Sequence, residues 1–398
     1  MERVNFWLRI KFNLFGSFML HLLLWPLYYF IGFFPRRRNI WVFGNGTGYN
    51  GNSKYLFEYI TKNEPRIKAY WIAQTKSEFL AFKNTARVLY KYSLSCWVIS
   101  SFSKIRFSCI SNDDVNFWTG KSSIRVQLWH GIPIKKISRD NKVGLEKKIF
   151  HSNLNFFEKY YKYYEWLIKP NFIISPSEYV TTYSFKSAFE IDSELILNLG
   201  NPRVDYILNS NYKSLNNKNV IYMPTFRNSG MNFINDIKQE LSIAISICNK
   251  HNYNFFIKLH PYTDEKLLDW VILNFPTIKI LENKIDIYDT LNEFSILITD
   301  YSSIVFDFAV LNRPILMYQH DYQDYITKDR EHYFETKQID FLNISRSKED
   351  FIRDVRNLFI RPDKFAYSKE CIRKFHEVLD GSSSEKITNY FMKLLELK

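Results

Sequence analysis

The chain has 398 residues, of which 46% are hydrophobic. That excludes a disordered protein and supplies more than one folded core. The net charge of +13 suits nucleic acid, anionic lipid or a phosphorylated substrate, but no zinc-finger spacing, RNP-type aromatic motif or long Lys/Arg block accompanies it, so nucleic acid is not expected as a partner.

Phe12–Phe34 holds no Lys, Arg, Asp or Glu and is long enough to span a bilayer. Gly16, His21, Pro26 and Gly32 weaken it as a spanning helix. Basic residues flank it, with Arg36-Arg37-Arg38 after it, and Trp7, Trp25, Tyr28 and Tyr29 favour a membrane interface. No small-residue cleavage site follows, so no removable signal peptide is expected. A helix or bent hairpin in the cytoplasmic leaflet, a single-span anchor and a buried core helix all remain open. Residues 1–38 are taken as a membrane-associating segment, with the body on the cytoplasmic face.

Asn39–Phe43 reads as a strand, followed by a glycine-rich loop from Gly44 to Asn52 and a helix over Ser53–Thr61. Glycines between strand and helix let backbone approach a ligand closely, so Gly44 and Asn52 are candidate ligand-side residues. The spacing is not GxGxxG, and no P-loop lysine is present. Ala69–Ala73 and Val88–Tyr90 continue an α/β alternation. The four cysteines, Cys96, Cys109, Cys248 and Cys371, are scattered, so reduced thiols are expected, without a disulfide framework or zinc site.

Arg125–Trp129 reads as a strand that delivers His130-Gly131 at its end, then Pro133, Lys135 and Lys136. An imidazole there suits general-base work, and the two lysines make the surroundings favourable to anions. A satisfied structural histidine is the alternative. Leu145–Lys169 is a basic, aromatic helix that either lies on an anionic membrane or packs on its own domain. Phe172–Ile174 and Leu195–Leu199 are further strands, the second closing on Gly200–Asp205. The polar stretch Asn209–Asn219 is the linker between halves.

Val220–Met223 restarts a sheet and leads to Arg227, whose planar fork suits phosphate. Phe255–Leu259 delivers His260, and Ile278–Leu281 precedes a helix opened by Asp286. Then Ile296–Thr299 is a strand, Asp300–Ser303 a polar turn, Ile304–Leu311 a helix and Ile315–Tyr318 a second strand. Ser302 and Ser303 at the start of that helix form a phosphate site, or merely cap it. Phe351–Phe359 and Ile387–Leu397 are amphipathic helices, and the last packs back on the body.

These elements imply an α/β fold of two Rossmann-like domains facing a cleft, GT-B-like, in a two-domain transferase. The boundaries are 39–210 for the N-terminal Rossmann-like domain, 211–365 for the C-terminal one and 366–398 for helices returning to the body. No DxD signature is evident, because Asp113-Asp114 lacks its spacing, and no metal is expected.

The motifs resemble the CDP-glycerol glycerophosphotransferases, the teichoic-acid primases and polymerases. FGNGTGYNGNSKYLFEYI (Phe43–Ile60), LWHGIPIKKI (Leu128–Ile137), ISPSEY (Ile174–Tyr179), GNPRVD (Gly200–Asp205), YMPTFR (Tyr222–Arg227), IKLHP (Ile257–Pro261), ITDYSSIVFDFAVLNRPILMY (Ile298–Tyr318) and DGSSSEKI (Asp380–Ile387) occur in the family's order. Phe226 stands where a Trp is more usual, and Arg330–Phe334 matches the following motif only loosely.

The resemblance implies a CDP-polyol donor, most simply CDP-glycerol, held by the C-terminal domain. It implies that His130 takes the proton of an acceptor hydroxyl while His260, Arg227, Ser302 and Ser303 hold the pyrophosphate. Thr299, Asp300 and Tyr301 would shape the cytidine or phosphate pocket, and Asp307 would reach sugar or glycerol hydroxyls unless it serves a local contact. Pro202, Arg203 and Asp205 would shape an interdomain hinge, with Gly44, Asn52, Lys135 and Lys136 on the acceptor side. The implied partners are a lipid-linked glycan or polyol-phosphate acceptor and an anionic membrane surface, with no cofactor. The implied setting is the cytoplasmic face of the cell membrane, in teichoic-acid or capsule-type polymer synthesis. Little chain lies beyond the catalytic body, which favours a primase or short-chain enzyme. A CDP-ribitol enzyme, a glycosyltransferase using a nucleotide sugar and a non-catalytic scaffold are the alternatives.

Overall fold

Apolar runs separated by helical stretches return the chain to the same end of a sheet, which makes neighbouring strands parallel. In a computed structural model, the chain is described over residues 19, 22–84, 86–143, 147, 150–151, 156, 169–210, 217–225, 233–259, 265–282, 285–328, 331–334 and 339–397. The first sheet comprises β1 (Arg37–Phe43), β2 (Lys68–Ala73), β3 (Val88–Tyr90), β4 (Ser103–Ser108), β5 (Ile124–Gln127), β6 (Phe172–Ser175) and β7 (Ile196–Asn198). The second comprises β8 (Asn219–Met223), β9 (Asn254–Ile257), β10 (Lys279–Ile280), β11 (Ile296–Thr299), β12 (Ile315–Tyr318) and β13 (Asn343–Ser345). Their orders are β3-β2-β1-β4-β5-β6-β7 and β10-β9-β8-β11-β12-β13, with parallel ladders in each. Each order reverses direction once, between β1 and β4 and between β8 and β11. Ligands of open parallel sheets bind outside the carboxyl ends of the strands at such reversals.

Two strands were not expected, β4 and β13. β4 carries Lys104 and Arg106 yet lies at the centre of its sheet. Arg106 is buried and donates to the carbonyls of Val115 and Asn116 and to Thr119 Oγ1. Burial pushes its pKa down to about 9. Carbonyl dipoles, with no counter-ion among these contacts, accommodate the charge.

The helices that position the site are α1 (residues 22–31), α2 (Gly51–Asn63), α3 (Pro202–Asn209), α4 (Ile287–Thr290), α5 (Ile304–Ala309) and α6 (Ser383–Leu394). α1 lies inside the apolar N-terminal stretch. Its Tyr28 stacks on Phe117 with centroids 5.0 Å apart, and Trp25 meets Trp118 edge-on. Arg36 closes the following turn by donating to the carbonyls of Ile31, Ser101 and Thr119. The outer side of this region shows Leu22, Leu23, Leu27, Phe30 and Phe33 to solvent. Among the described residues no helix is long and apolar enough to cross a membrane. Residues 1–18 and most of the basic, aromatic stretch Leu145–Lys169 lie outside the described residues.

Three main cores fill the molecule. One packs β1 and β4 through Trp41, Phe43 and Phe107 under Ile387, Phe391 and Met392 of α6. Another surrounds β8 and β9. The third crosses the domain boundary, joining Ile132, Ile134, Val204 and Ile207 to Ile287, Leu297 and Phe306. The two sheets are therefore joined through a shared apolar core. The final helix is pinned to the first domain by Asp205 of α3, whose carboxylate accepts from the backbone N–H groups of Ser383 (2.9 Å) and Ser384 (2.6 Å).

Candidate active site

β5 ends just before a backbone reversal. Trp129 has φ +52° and Gly131 φ +149°, both in the left-handed half of the map. This reversal lifts His130 off the sheet, and its side chain is exposed. Two buried side chains hold the turn. Asn52 Nδ2 donates to the carbonyls of Leu128 (3.1 Å) and Trp129 (3.0 Å), and Arg203 Nη1 donates to that of His130 (2.7 Å). His130 Nδ1 lies 3.4 Å from the Cys109 carbonyl, which can only accept. That geometry favours the Nδ1–H tautomer and places the basic lone pair on Nε2.

The facing domain contributes the turn after β11. Thr299 Oγ1 donates to the Met223 carbonyl (2.6 Å), and Asp300 accepts from the N–H groups of Thr225 (2.9 Å) and Tyr301 (2.6 Å). Both residues are buried. Expected as donor contacts, they tie β8 to β11 at the sheet's reversal, because strand ends there leave backbone groups that need partners. Ser302 and Ser303 are only half-buried, and Ser303 makes no capping bond to its helix. A Cβ built on Gly131 would lie 3.3 Å from Ser303 Oγ and 3.0 Å from Arg203 Nη2. The His130 turn of one domain thus meets the serine turn of the other. Arg227 and His260 lie outside the described residues.

Asp307, expected near sugar or glycerol hydroxyls, is fully buried and its carboxylate is already occupied. It accepts from Arg203 Nε (3.1 Å) and Nη2 (2.7 Å) and from the Tyr288 hydroxyl (2.9 Å). Burial disfavours the Arg203 charge, but Asp307 more than offsets this and holds the guanidinium above its ordinary value. Burial raises the Asp307 carboxyl, and Arg203 pulls it back. We take the pair as ionised, since a neutral carboxyl would leave the guanidinium without its counter-ion.

The acceptor-side candidates also prove structural in part. Asn52 is the clamp described above. Gly44 is buried where a Cβ would come within 2.2 Å of the Asp114 carbonyl oxygen. Gly44→Ala is expected to cost about 1–3 kcal/mol of stability through overpacking, read as a lower denaturant midpoint by circular dichroism; an unchanged midpoint contradicts it. Lys135 Nζ donates to the Tyr325 hydroxyl (2.9 Å), and Lys136 pairs with Glu331 (2.5 Å). Ile134 and Lys136 also bond through their backbones to Tyr333 (2.7 Å) and Glu331 (2.8 Å). These contacts fasten the loop after His130 to the second domain.

Sequence reasoning missed a second crossing. Lys54 of α2 reaches Asp289 (2.7 Å) and Asp286 (3.4 Å) at α4, and the Tyr55 hydroxyl joins both carboxylates. It also missed His376, whose buried Nε2 lies 3.2 Å from the Phe306 carbonyl. Burial and nearby Arg203 push its pKa down to about 3. A depressed imidazole stabilises the fold when neutral, above the unfolded value near 6.5, and that stability is lost as pH falls towards 3. Between those limits, unfolding free energy is expected to drop by about 1.4 kcal/mol more per pH unit than in His376→Gln. Equal slopes in chemical denaturation at pH 6 and pH 4.5 would refute this. Among the described residues no group of three or more His, Cys, Asp or Glu is gathered as a metal site would need.

A histidine turn from one parallel α/β sheet is thus set against a hydroxyl turn from a second. The chain belongs to the CDP-glycerol:poly(glycerophosphate) glycerophosphotransferase family, whose model matches residues 28–393. It is 25% identical over 375 residues to a teichoic acid poly(glycerol phosphate) polymerase of Bacillus subtilis, covering 88% of this chain and 48% of that protein. The chain thus spans about half the length of that relative. It is 24% identical over 377 residues to a teichoic acid glycerol-phosphate transferase of Staphylococcus aureus, covering 88% and 91%. A teichoic acid ribitol-phosphate primase of Bacillus spizizenii is 26% identical over 304 residues, covering 69% and 71%. The structure of the wall teichoic acid polymerase TagF shares the fold, with a TM-score of 0.73 at 20% identity over 98% of this chain and 99% of that one.

Proposed function

We propose that this chain transfers glycerol phosphate from CDP-glycerol to a hydroxyl of a membrane-lipid-linked glycan or polyol-phosphate acceptor, releasing CMP, within a GT-B-like arrangement. The observation that carries the reading is the approach of the His130 turn to Ser303 in a chain of this family. His130 Nε2 takes the proton of the acceptor hydroxyl. The acceptor oxygen attacks the phosphorus bearing glycerol, the bond to the bridging oxygen breaks, and CMP leaves with its electrons. Ser302 and Ser303, with Arg227 and His260, offset charge building on the leaving group. The proton on His130 then passes to water. No cofactor enters this scheme.

The exposed apolar residues around α1, followed by Arg37 and Arg38, support seating on the cytoplasmic face of an anionic membrane in teichoic-acid or capsule-type synthesis. Ribitol phosphate is the second reading, favoured by the ribitol-phosphate relative at similar identity. The test is CMP release by purified protein from CDP-glycerol and CDP-ribitol in parallel, with a lipid-linked acceptor and product-length analysis. Preferential turnover of CDP-ribitol selects the second reading. No release from either, with a thermal shift by UDP- or GDP-sugars instead, sinks both.

A further inference from the structure

Three successive carbonyls carry the turn on which His130 stands, and two buried side chains hold all three. Asn52 takes Leu128 and Trp129, and Arg203 takes His130. The two holders are themselves linked, because the Arg203 N–H donates to Asn52 Oδ1 (3.3 Å). Arg203 then spends the rest of its fork on the other domain, through both oxygens of Asp307. Its guanidinium carbon also lies 4.7 Å from the centre of the Tyr288 ring, whose hydroxyl donates to Asp307. Arg203 is 2% exposed and Asp307 0%. Asp307 sits one turn into α5, the helix that Ser302 and Ser303 precede.

Stability alone gives weak grounds for such a pair. Replacing a buried ion pair by apolar side chains is often neutral, since two desolvated charges recover little more than they cost. What the pair does supply is a fixed distance. A planar guanidinium bound at three corners allows little sliding, so the His130 main chain and the serine turn keep one spacing. We propose that Arg203, through Asp307 and Tyr288, is a positioning residue that sets the base at attacking distance from the donor phosphates across the domain boundary. It touches neither substrate. The inference rests on the glycerophosphotransfer reading for its kinetic consequence and on the geometry for its structural one.

The experiment is the paired variant Arg203→Met with Asp307→Leu, which removes both charges together. The expected result is a folded protein with wild-type-like thermal unfolding and an unchanged calorimetric Kd for CDP-glycerol. Its kcat falls about 10²-fold, the usual cost of a misplacement near 1 Å. Turnover close to wild type overturns the proposal, because the pair would then be structural only. If the double variant does not fold, Tyr288→Phe decides: a lower kcat at unchanged Kd supports the proposal, and an unchanged kcat overturns it. Hydrogen exchange over residues 128–132 is followed in the same proteins. If wild type releases no CMP from any CDP-polyol, the reaction reading fails and exchange alone decides. Faster exchange in the variants then supports the positioning role, and unchanged exchange overturns it.

Discussion

His130→Ala is expected to lower turnover by about 10²–10⁴-fold, the range for loss of a general base, while CDP-glycerol still binds. The reason lies in how the side chain is presented. Its backbone is held by Arg203 and its ring is exposed beside Trp129, 4.2 Å away between centroids. Alanine therefore removes the imidazole without releasing the turn. Single-turnover CMP release gives the rate, and calorimetry with CDP-glycerol gives the affinity. A variant within about tenfold of the wild-type rate, below the range for base loss, would remove His130 from that role.

Gly131→Ala is expected to be nearly as damaging for a different reason. At φ +149° an L residue is strained, and the new methyl would press on Arg203 Nη2 and Ser303 Oγ. The cheapest relief is to move the turn, which carries His130 with it. A stability cost of about 1–3 kcal/mol should accompany a fall in kcat of about 10²-fold. The diagnostic outcome is a kcat loss that persists at temperatures where circular dichroism shows the variant fully folded. A rate that recovers once the protein is folded would mean that the turn tolerates the methyl and that spacing here is not critical.

Local pattern made part of this architecture readable. β11 and β12 have the bounds that their apolar runs suggest, because each is closed by polar or turn-forming residues. The place of His130 just beyond a strand end was legible because Gly131 and Pro133 stop the strand beside it. β4 was not, because Arg106 looks like a surface residue until the carbonyls that surround it are known. Asp307 illustrates a deeper limit. Its spacing from Ser303 suggests a shared helical face, but its partner is Arg203, 104 residues earlier. Nothing in either neighbourhood announces the other. The same holds for Lys54 and Asp289, which meet only because two separately built sheets face each other.

α6 has a consequence for the order in which the molecule can be made. It covers the sheet of the first domain, with Phe391 edge-on to Phe107 at 5.6 Å, yet it follows the whole second sheet in sequence. A ribosome finishing α3 must still add the whole second domain before this cover emerges, roughly 10–40 s at usual elongation rates of about 5–20 residues per second. The first sheet is thus sealed only after the second has been made, and its aromatic face waits uncovered in the meantime. A nascent chain halted after Asp380 would be expected to bind chaperones through the aromatic face of the first sheet, not through its newest residues.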